Sequence, residues 1–154
     1  MGIVSAVATI NATPEAVMAV AQKVEDFPQF MPDVVGVEIL ERNEATGHSR
    51  VKWDAKVEVQ SIRKPIRWVE DEFWKLDERT CDFVQVSGDY KKYSGKWVFE
   101  PLMDGATQVT LTTDFDLGLP LVGAIINKLL DKLMRDNCQA MLNAIKERVE
   151  SQSS

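Results

Sequence analysis

The chain has 154 residues, 45% of them hydrophobic and 27% charged, and a net charge of −6. This length suffices for one domain with its own hydrophobic core, so we expect a single domain over residues 1–150 and a disordered polar tail over residues 151–154. The negative net charge, with lysine and arginine scattered along the chain, argues against direct binding of nucleic acid.

The start of the chain and its two cysteines favour a cytoplasmic protein. MGIVSAVATINATPEA lacks the basic and apolar segments of a signal peptide, and no stretch approaches the roughly 18 apolar residues of a membrane span. Transient contact with a membrane stays open. Cys81 and Cys138 lie far apart and outside any metal-binding spacing, so we predict reduced, buried thiols and neither a metal ion nor another cofactor.

The first elements are a strand and two short helices. Residues 3–10 alternate weakly between apolar and polar side chains, which predicts a strand. Thr13, Pro14 and Glu15 are typical of a helix start, since they suit the cap, the first turn and the positive end of the helix dipole. A second helix, short and bounded by prolines, is expected within residues 27–32.

From about residue 35 to residue 117 the apolar residues recur with the period of a strand. The alternation is clearest at residues 51–59, where one face is apolar and the other charged. Further strands are predicted at 35–39, 66–75, 80–87, 93–101 and 107–117. Consecutive strands joined by short turns indicate an antiparallel meander with one covered face.

The covering element is a helix of roughly thirty residues, predicted at about 120–150. Its apolar residues recur with helical spacing from Val122 to Val149, and the apolar strip is wider in the first half. A strip of this width suits burial against a curved sheet, or the lining of a cavity beneath the helix. The sequence therefore predicts an α+β fold.

This order of elements is similar to the helix-grip fold of the START and birch-pollen-allergen superfamily. Three segments resemble its coenzyme Q-binding and polyketide cyclase/dehydrase-like branch, namely INATPEAVMAVAQKVEDFPQFMPDV (10–34), SGDYKKYSGKWVFEP (87–101) and DFDLGLPLVGAIINKLL (114–130). The resemblance implies a curved antiparallel sheet of about seven strands wrapped around the long C-terminal helix, with two short helices between strands 1 and 2. It also implies a cavity for an apolar or aromatic ligand between sheet and helix.

Residues 67–74, RWVEDEFW, place three consecutive acids on a predicted strand. Over residues 66–75, three large apolar residues, Ile66, Trp68 and Trp74, occupy even positions and two occupy odd positions, so we predict that the even face points inward. The resemblance agrees, because the related polyketide aromatase/cyclases have a cavity tryptophan on this strand and Trp68 resembles it. Glu70 and Glu72 are then expected to face the cavity, and Asp71 to lie in solvent.

Four roles are considered for Glu70 and Glu72. Residues two apart on a strand are about 6.5–7 Å apart, close enough for paired carboxylates to raise one another's pKa. A glycosidase-like pair has no other support, and a metal site is disfavoured because the only histidine, His48, lies in a predicted turn. A polar cavity floor and a solvated mouth of the sheet remain equal alternatives.

The same alternation supplies the other candidate residues of the cavity wall. Tyr93 stands out because a buried hydroxyl needs a hydrogen-bond partner, and Asn137 is either a polar wall residue or exposed. For any one of these residues, ordinary core packing is the simpler explanation. The predicted ligand-binding set is Trp53, Trp68, Glu70, Glu72, Phe83, Gln85, Tyr93, Trp97, Leu111, Thr113, Phe115, Ile126, Leu129, Leu130 and Leu133.

The favoured function is the binding of a small lipophilic or aromatic molecule by a carrier or chaperone-type module. Apolar burial would supply most of the binding free energy, with Tyr93, Gln85 or a glutamate orienting one polar end. The resemblance suggests a quinone, an isoprenoid or a polyketide-like compound. We expect the ligand to enter near residues 118–123 and the short helix at residues 27–31.

Two other functions stay open. One is a polyketide cyclase, aromatase or dehydratase that uses Tyr93, Glu70 or Glu72 as acid or base. The related cyclases carry an arginine about where this chain has Glu72, so a non-enzymatic role is favoured. The other is an interaction protein similar to the ribosome-associating toxins of this branch, although the acidic chain disfavours direct contact with RNA. The oligomeric state is not predicted.

Overall fold

The computed structural model describes residues 2–29, 31, 33–59, 62–118 and 123–152. A strand and two short helices come first, followed by six strands and one long helix. In chain order these are β1 (Gly2–Ile10), α1 (Pro14–Gln22), a 3₁₀ helix (Val24–Gln29), β2 (Val34–Asn43), β3 (His48–Val59), β4 (Ile62–Lys75), β5 (Thr80–Gly88), β6 (Lys92–Pro101), β7 (Thr107–Asp116) and α2 (Ala124–Gln152). The predicted α+β class and order of elements are confirmed.

The seven strands form one antiparallel sheet in the order β1-β7-β6-β5-β4-β3-β2. Strands β2 to β7 are a meander of neighbours, and β1 pairs with β7, so the first and last strands of the chain lie side by side. α1 and the 3₁₀ helix carry the chain from one edge of the sheet to the other. The sheet is curved around α2, as the helix-grip fold requires.

Local sequence explains where α1 starts. The Thr13 side chain accepts a hydrogen bond from the Ala16 main-chain N–H at 3.3 Å, so it caps the helix. Pro14 follows in the first turn, where a missing N–H removes no helical hydrogen bond, and Glu15 lies at the positive end of the dipole. The predicted helix start is therefore confirmed.

α2 closes the fold unevenly along its length. Leu142, Ile145 and Val149 in its second half are buried in the core, whereas Leu133 and Met134 in the first half are only partly buried. The second half therefore completes the hydrophobic core together with α1 and β1. The first half stands over the part of the sheet where the interior is not filled.

Two boundaries differ from the sequence prediction. α2 continues to Gln152, so residues 151 and 152 are helical rather than part of a disordered tail, and residues 153 and 154 lie outside the described ranges. α2 begins at Ala124, and residues 119–122, which were assigned partly to its start and partly to the ligand entrance, are also outside them.

Both cysteines are free and buried, as predicted. Burial raises the pKa of the Cys81 and Cys138 thiols, which keeps them protonated and poorly nucleophilic.

Within the described part of the chain, no helix is long and apolar enough to cross a membrane.

Candidate ligand cavity

A cavity of about 180 Å³ lies between the inner face of the sheet, the 3₁₀ helix and the middle of α2. A single buried water needs only about 10–15 Å³, so the side chains of the fold leave room for a guest much larger than water. Most of the wall is apolar, and its polar groups come chiefly from β4, β7, α2 and the segment around Tyr90 and Tyr93. The curved sheet and the first half of α2 therefore enclose a lipophilic space.

Stacked aromatic rings form one side of this cavity. Trp53 on β3 and Trp68 on β4 are paired across the two strands, and their rings stack at 5.8 Å with only 7° between the planes. The ring of Phe83 on β5 lies 5.5 Å from that of Tyr93 on β6. Gly95 makes room for Phe83, since a Cβ at Gly95 would lie only 2.3 Å from its ring.

Glu70 and Glu72 form a polar floor within this wall. They are 4% and 5% exposed, which rules out the alternative of acids at a solvated mouth. The Trp68 indole N–H donates to Glu70 Oε1 at 2.7 Å, and the Trp74 indole N–H donates to Glu72 Oε1 at 3.2 Å. The inward direction predicted for the even positions of β4 is confirmed, and each carboxyl group has an indole donor two residues away.

Burial disfavours a negative charge on either carboxyl group. Burial raises the pKa of Glu70 well above its usual range, and the charge of Glu72 and a hydrogen bond between the two groups raise it further. Burial also raises the pKa of Glu72, although the same hydrogen bond lowers it. Of the two carboxyl groups, Glu70 is therefore the one that keeps its proton to the higher pH.

Asp71, between these glutamates in sequence, belongs to a different environment. It lies on the outer face of β4, where its Oδ1 accepts a hydrogen bond from Arg50 Nε at 2.8 Å and pairs with His48 Nε2 at 3.0 Å. The hydrogen bond from Arg50 holds the pKa of Asp71 below its usual value. The prediction that Asp71 lies in solvent needs correction, because its side chain is only 15% exposed and is covered by its partners.

The structure brings most of the predicted wall residues together. Those that line the cavity are Trp53, Trp68, Glu70, Glu72, Phe83, Tyr93, Trp97, Leu111, Thr113, Phe115, Leu130 and Leu133. Their role in ligand binding stays a prediction. The alternatives for Asn137 are also resolved, since it lines the cavity from α2.

Gln85, Ile126 and Leu129 are not part of the wall. The pairing of β4 with β5 shifts between Val69 and Glu70, so Val86 is an extra residue and the alternation of β5 changes there. The Gln85 amide instead holds the next turn, since it donates to the Tyr90 carbonyl at 2.9 Å and accepts from the Tyr90 N–H at 3.3 Å. Ile126 and Leu129 are partly buried and pack against the core.

The wall also contains residues that the sequence did not indicate. Tyr90 lies in the turn between β5 and β6, where strand alternation gives no direction, yet it is buried and lines the cavity. Trp74, Met134 and Met141 are further wall residues. The signal that could have identified Tyr90 is composition, because the chain has only two tyrosines and the other one, Tyr93, is three residues away.

The solvent-exposed wall residues mark the mouth of the cavity. Asp33, Lys56 and Ala140 are exposed and line the cavity; the Lys56 N–H donates to the Asp33 carbonyl at 3.1 Å. The mouth therefore lies between the end of the 3₁₀ helix, β3 and α2, next to the predicted entrance at residues 27–31. The second part of that entrance, residues 118–123, falls mostly outside the described ranges.

The chemical character of the site follows from these groups. Lys56, at the mouth, is the only Lys, Arg or His among the described wall residues. In the ranges that the structure describes, no group of three or more His, Cys, Asp or Glu side chains could hold a metal ion. What the inner cavity offers is apolar surface, aromatic rings and protonated hydrogen-bonding groups.

Comparisons with known proteins agree with this geometry. The model of a family described as polyketide cyclase / dehydrase and lipid transport matches residues 10–142. The structure of TTHA0849 from Thermus thermophilus is 33% identical, with a TM-score of 0.88 over 99% of this chain and 100% of that chain.

Two other relatives have descriptive names. The Zhui aromatase/cyclase from Streptomyces sp. R1128 is 22% identical with a TM-score of 0.85 over 99% of this chain and 96% of that chain, a similarity that shows the shared fold. The persistence and stress-resistance toxin PasT of Escherichia coli O6:H1 is 24% identical over 148 residues, which cover 94% of this chain and 87% of that protein.

Proposed function

Because this chain belongs to the polyketide cyclase / dehydrase and lipid transport family, we propose that it binds one small lipophilic molecule between the sheet and α2, as a carrier or chaperone-type module. A quinone, an isoprenoid or a polyketide-like compound fits this description. The observation that carries the proposal is the unfilled cavity of about 180 Å³ with an aromatic and aliphatic wall. Each Å² of apolar ligand surface buried there would contribute about 25 cal/mol.

Native mass spectrometry and thermal unfolding test this proposal. We expect a lipophilic molecule to co-purify with the protein, or ubiquinone and related lipids to bind with a stoichiometry of one. A ligand at a hundred times its Kd should raise Tm by about 5–10 °C. Absence of both a co-purified molecule and a Tm shift with every lipid in the panel would contradict the proposal.

A matched pair of substitutions on α2 locates the binding. Leu133 lines the cavity, whereas its neighbour Lys132 is exposed and points away from it. Leu133→Trp should fill part of the cavity and abolish the Tm shift, while Lys132→Trp should leave the shift unchanged. Equal loss with both variants would place the ligand elsewhere on the protein.

A second candidate function has its own supporting observation. Burial raises the pKa of Glu70 beside the cavity, which favours its protonated form, and a neutral carboxylic acid can donate a proton to a carbonyl oxygen as a general acid. This favours a polyketide cyclase or dehydratase activity as the alternative. Glu70→Gln should then abolish conversion of a poly-β-ketone while its binding persists; absence of conversion by the unsubstituted protein would leave binding as the function.

A further inference from the structure

The two tyrosines of the chain meet at one end of the cavity. Tyr90 and Tyr93 both line it, and their rings stack with centroids 4.5 Å apart and 25° between the planes. Trp68 packs against both, at 5.3 Å from Tyr90 and 5.2 Å from Tyr93. The Gln85 amide fixes the main chain of Tyr90 through two hydrogen bonds. Both rings are therefore held in place before any guest arrives.

Neither tyrosine hydroxyl has a hydrogen-bond partner among the residues that the structure describes, although Tyr90 is buried and Tyr93 is partly buried. Buried hydroxyl groups in proteins are normally satisfied, so an unpartnered pair at a cavity is open to a guest. Burial and the nearby Glu70 raise the pKa of both hydroxyls, which keeps them protonated and able to donate. The indole N–H of Trp53, another wall residue, is likewise buried without a partner in the described part of the chain. Both tyrosine hydroxyls and this indole N–H are therefore donors without a partner in the described wall.

The neighbouring acids decide what charge a guest can bring. Burial raises the pKa of both Glu70 and Glu72, and a carboxylate guest would add negative charge beside them, with no Lys or Arg among the described wall residues except Lys56 at the mouth. An ammonium guest would bring more donors, while Oε1 of Glu70 and Oε1 of Glu72 already accept hydrogen bonds from Trp68 and Trp74. A neutral oxygen has neither disadvantage.

We propose that the end of the cavity lined by Tyr90 and Tyr93 selects a neutral hydrogen-bond acceptor, the carbonyl or ether oxygen of a lipophilic molecule, which the two tyrosine hydroxyls bind. The inference rests on the proposed function and refines it to a ligand class. Ketones, quinones and esters are bound with the oxygen inward, and free fatty acids and alkyl amines are discriminated against.

Four ligands with one chain length and different ends test this inference: a methyl ketone, an alkane, a carboxylate and a primary amine. By titration against the full chain, the ketone should bind about three- to tenfold more tightly than the alkane, as expected for one added hydrogen bond. Tyr90→Phe and Tyr93→Phe should each weaken ketone binding, and the double variant should remove its advantage, with alkane binding unchanged. The substitutions delete only oxygen atoms, so the apolar wall stays intact.

The outcomes separate this inference from the proposed function. If the alkane and the ketone bind equally, apolar binding stands and the selective acceptor site is wrong; if no ligand binds, the proposed function itself fails. Tighter binding of the carboxylate or the amine than of the ketone also overturns the inference. A measurement on the unsubstituted protein avoids dependence on variant folding: the ketone should perturb tyrosine absorbance in the near ultraviolet, and the alkane should not. An equal perturbation by both would contradict the inference.

Discussion

The two faces of β4 shift the pKa of carboxyl groups in opposite directions. On the inner face, burial raises the pKa of Glu70 and Glu72. On the outer face, the guanidinium of Arg50 lowers the pKa of Asp71, which stands between them in sequence. Adjacent residues of a strand point to opposite faces. Glu70 and Glu72 therefore lie in a low-dielectric cavity wall, whereas Asp71 between them forms an ion pair on the outer face.

This difference shows which side of the sheet can serve a ligand. The outer acid is neutralised by a cation that the protein itself supplies, Arg50, and its Oδ1 also lies 3.0 Å from His48 Nε2. The inner acids accept hydrogen bonds from indole N–H groups, and burial raises the pKa of both, with Arg42 lowering that of Glu72 in part. A protonated, uncharged wall is compatible with a lipophilic guest, whereas an ionised wall would hold water.

The largest expected difference between the faces concerns packing. Trp68→Ala, on the inner face, should lower the free energy of unfolding by about 3–5 kcal/mol, because it removes ring contacts with Trp53 and both tyrosines and deprives Glu70 of its donor. Phe73→Ala, on the outer face, should cost about 1 kcal/mol or less, since Phe73 is 41% exposed. Urea denaturation measures both, and equal losses would show that the two faces are not packed differently.

The sequence predicted this contrast between the faces better than it predicted the full wall. Alternation with period two needs no knowledge of distant contacts, and β4 keeps a single alternation from Ile66 to Trp74, so the directions of Glu70 and Glu72 follow from counting. Burial of the two acids could not be derived in the same way. It depends on α2 and the 3₁₀ helix, which close the space above β4 from distant parts of the chain.

Gln85 and Tyr90 are positions where the alternation of strand residues does not predict the direction of the side chain. The extra residue in β5 is invisible in the sequence, because a β-bulge depends on pairing with the neighbouring strand. Tyr90 follows the end of β5, and a turn has no period from which a direction could be predicted. Both failures fall at one end of the cavity, where the backbone departs from regular geometry to bring a tyrosine and its support into the wall.

The second prediction concerns pH on the inner face. A carboxyl group whose pKa is higher in the folded than in the unfolded state stabilises the fold fully below the unfolded value, about 4.5, and loses that contribution as pH rises through the folded value. Glu70→Gln keeps an acceptor for Trp68 and cannot ionise. We expect the variant to gain stability relative to the unsubstituted protein as pH rises above about 4.5, by about 1.4 kcal/mol for each tenfold difference in proton affinity between the folded and unfolded states.

Unfolding by urea at several pH values measures this gain. Glu72→Gln serves as the companion variant on the same face and should show a smaller gain, because the hydrogen bond from Glu70 lowers its pKa in part. Parallel stability-versus-pH profiles for the unsubstituted protein and Glu70→Gln would mean that Glu70 is ionised in the cavity wall. The cavity floor would then be charged, which contradicts the binding of a neutral guest there.

The smallest expected change in the free energy of unfolding is on the outer face, and its dependence on pH has the opposite sign. Asp71 has a lowered pKa, so its contribution is present above its unfolded value, about 3.8, and is lost as pH falls through the folded value. Asp71→Asn should therefore cost stability at neutral pH and nothing in acid. The cost should stay at or below about 1 kcal/mol, because Arg50 is 40% exposed and solvent screens the pair.

Asp82→Asn is the matched control for this variant. Asp82 lies on β5 and is 42% exposed, with a longer ion pair to Lys75 at 3.7 Å, so its replacement should change stability by less than about 0.5 kcal/mol at any pH. High salt should shrink the loss in Asp71→Asn and leave the gain in Glu70→Gln, because salt screens an ion pair near the surface and not the desolvation of a buried acid. If Asp71→Asn instead gained stability relative to the unsubstituted protein as pH rises, the pKa of Asp71 would be raised, as the pKa values of Glu70 and Glu72 are. The proposed difference between the two faces of β4 would then be wrong.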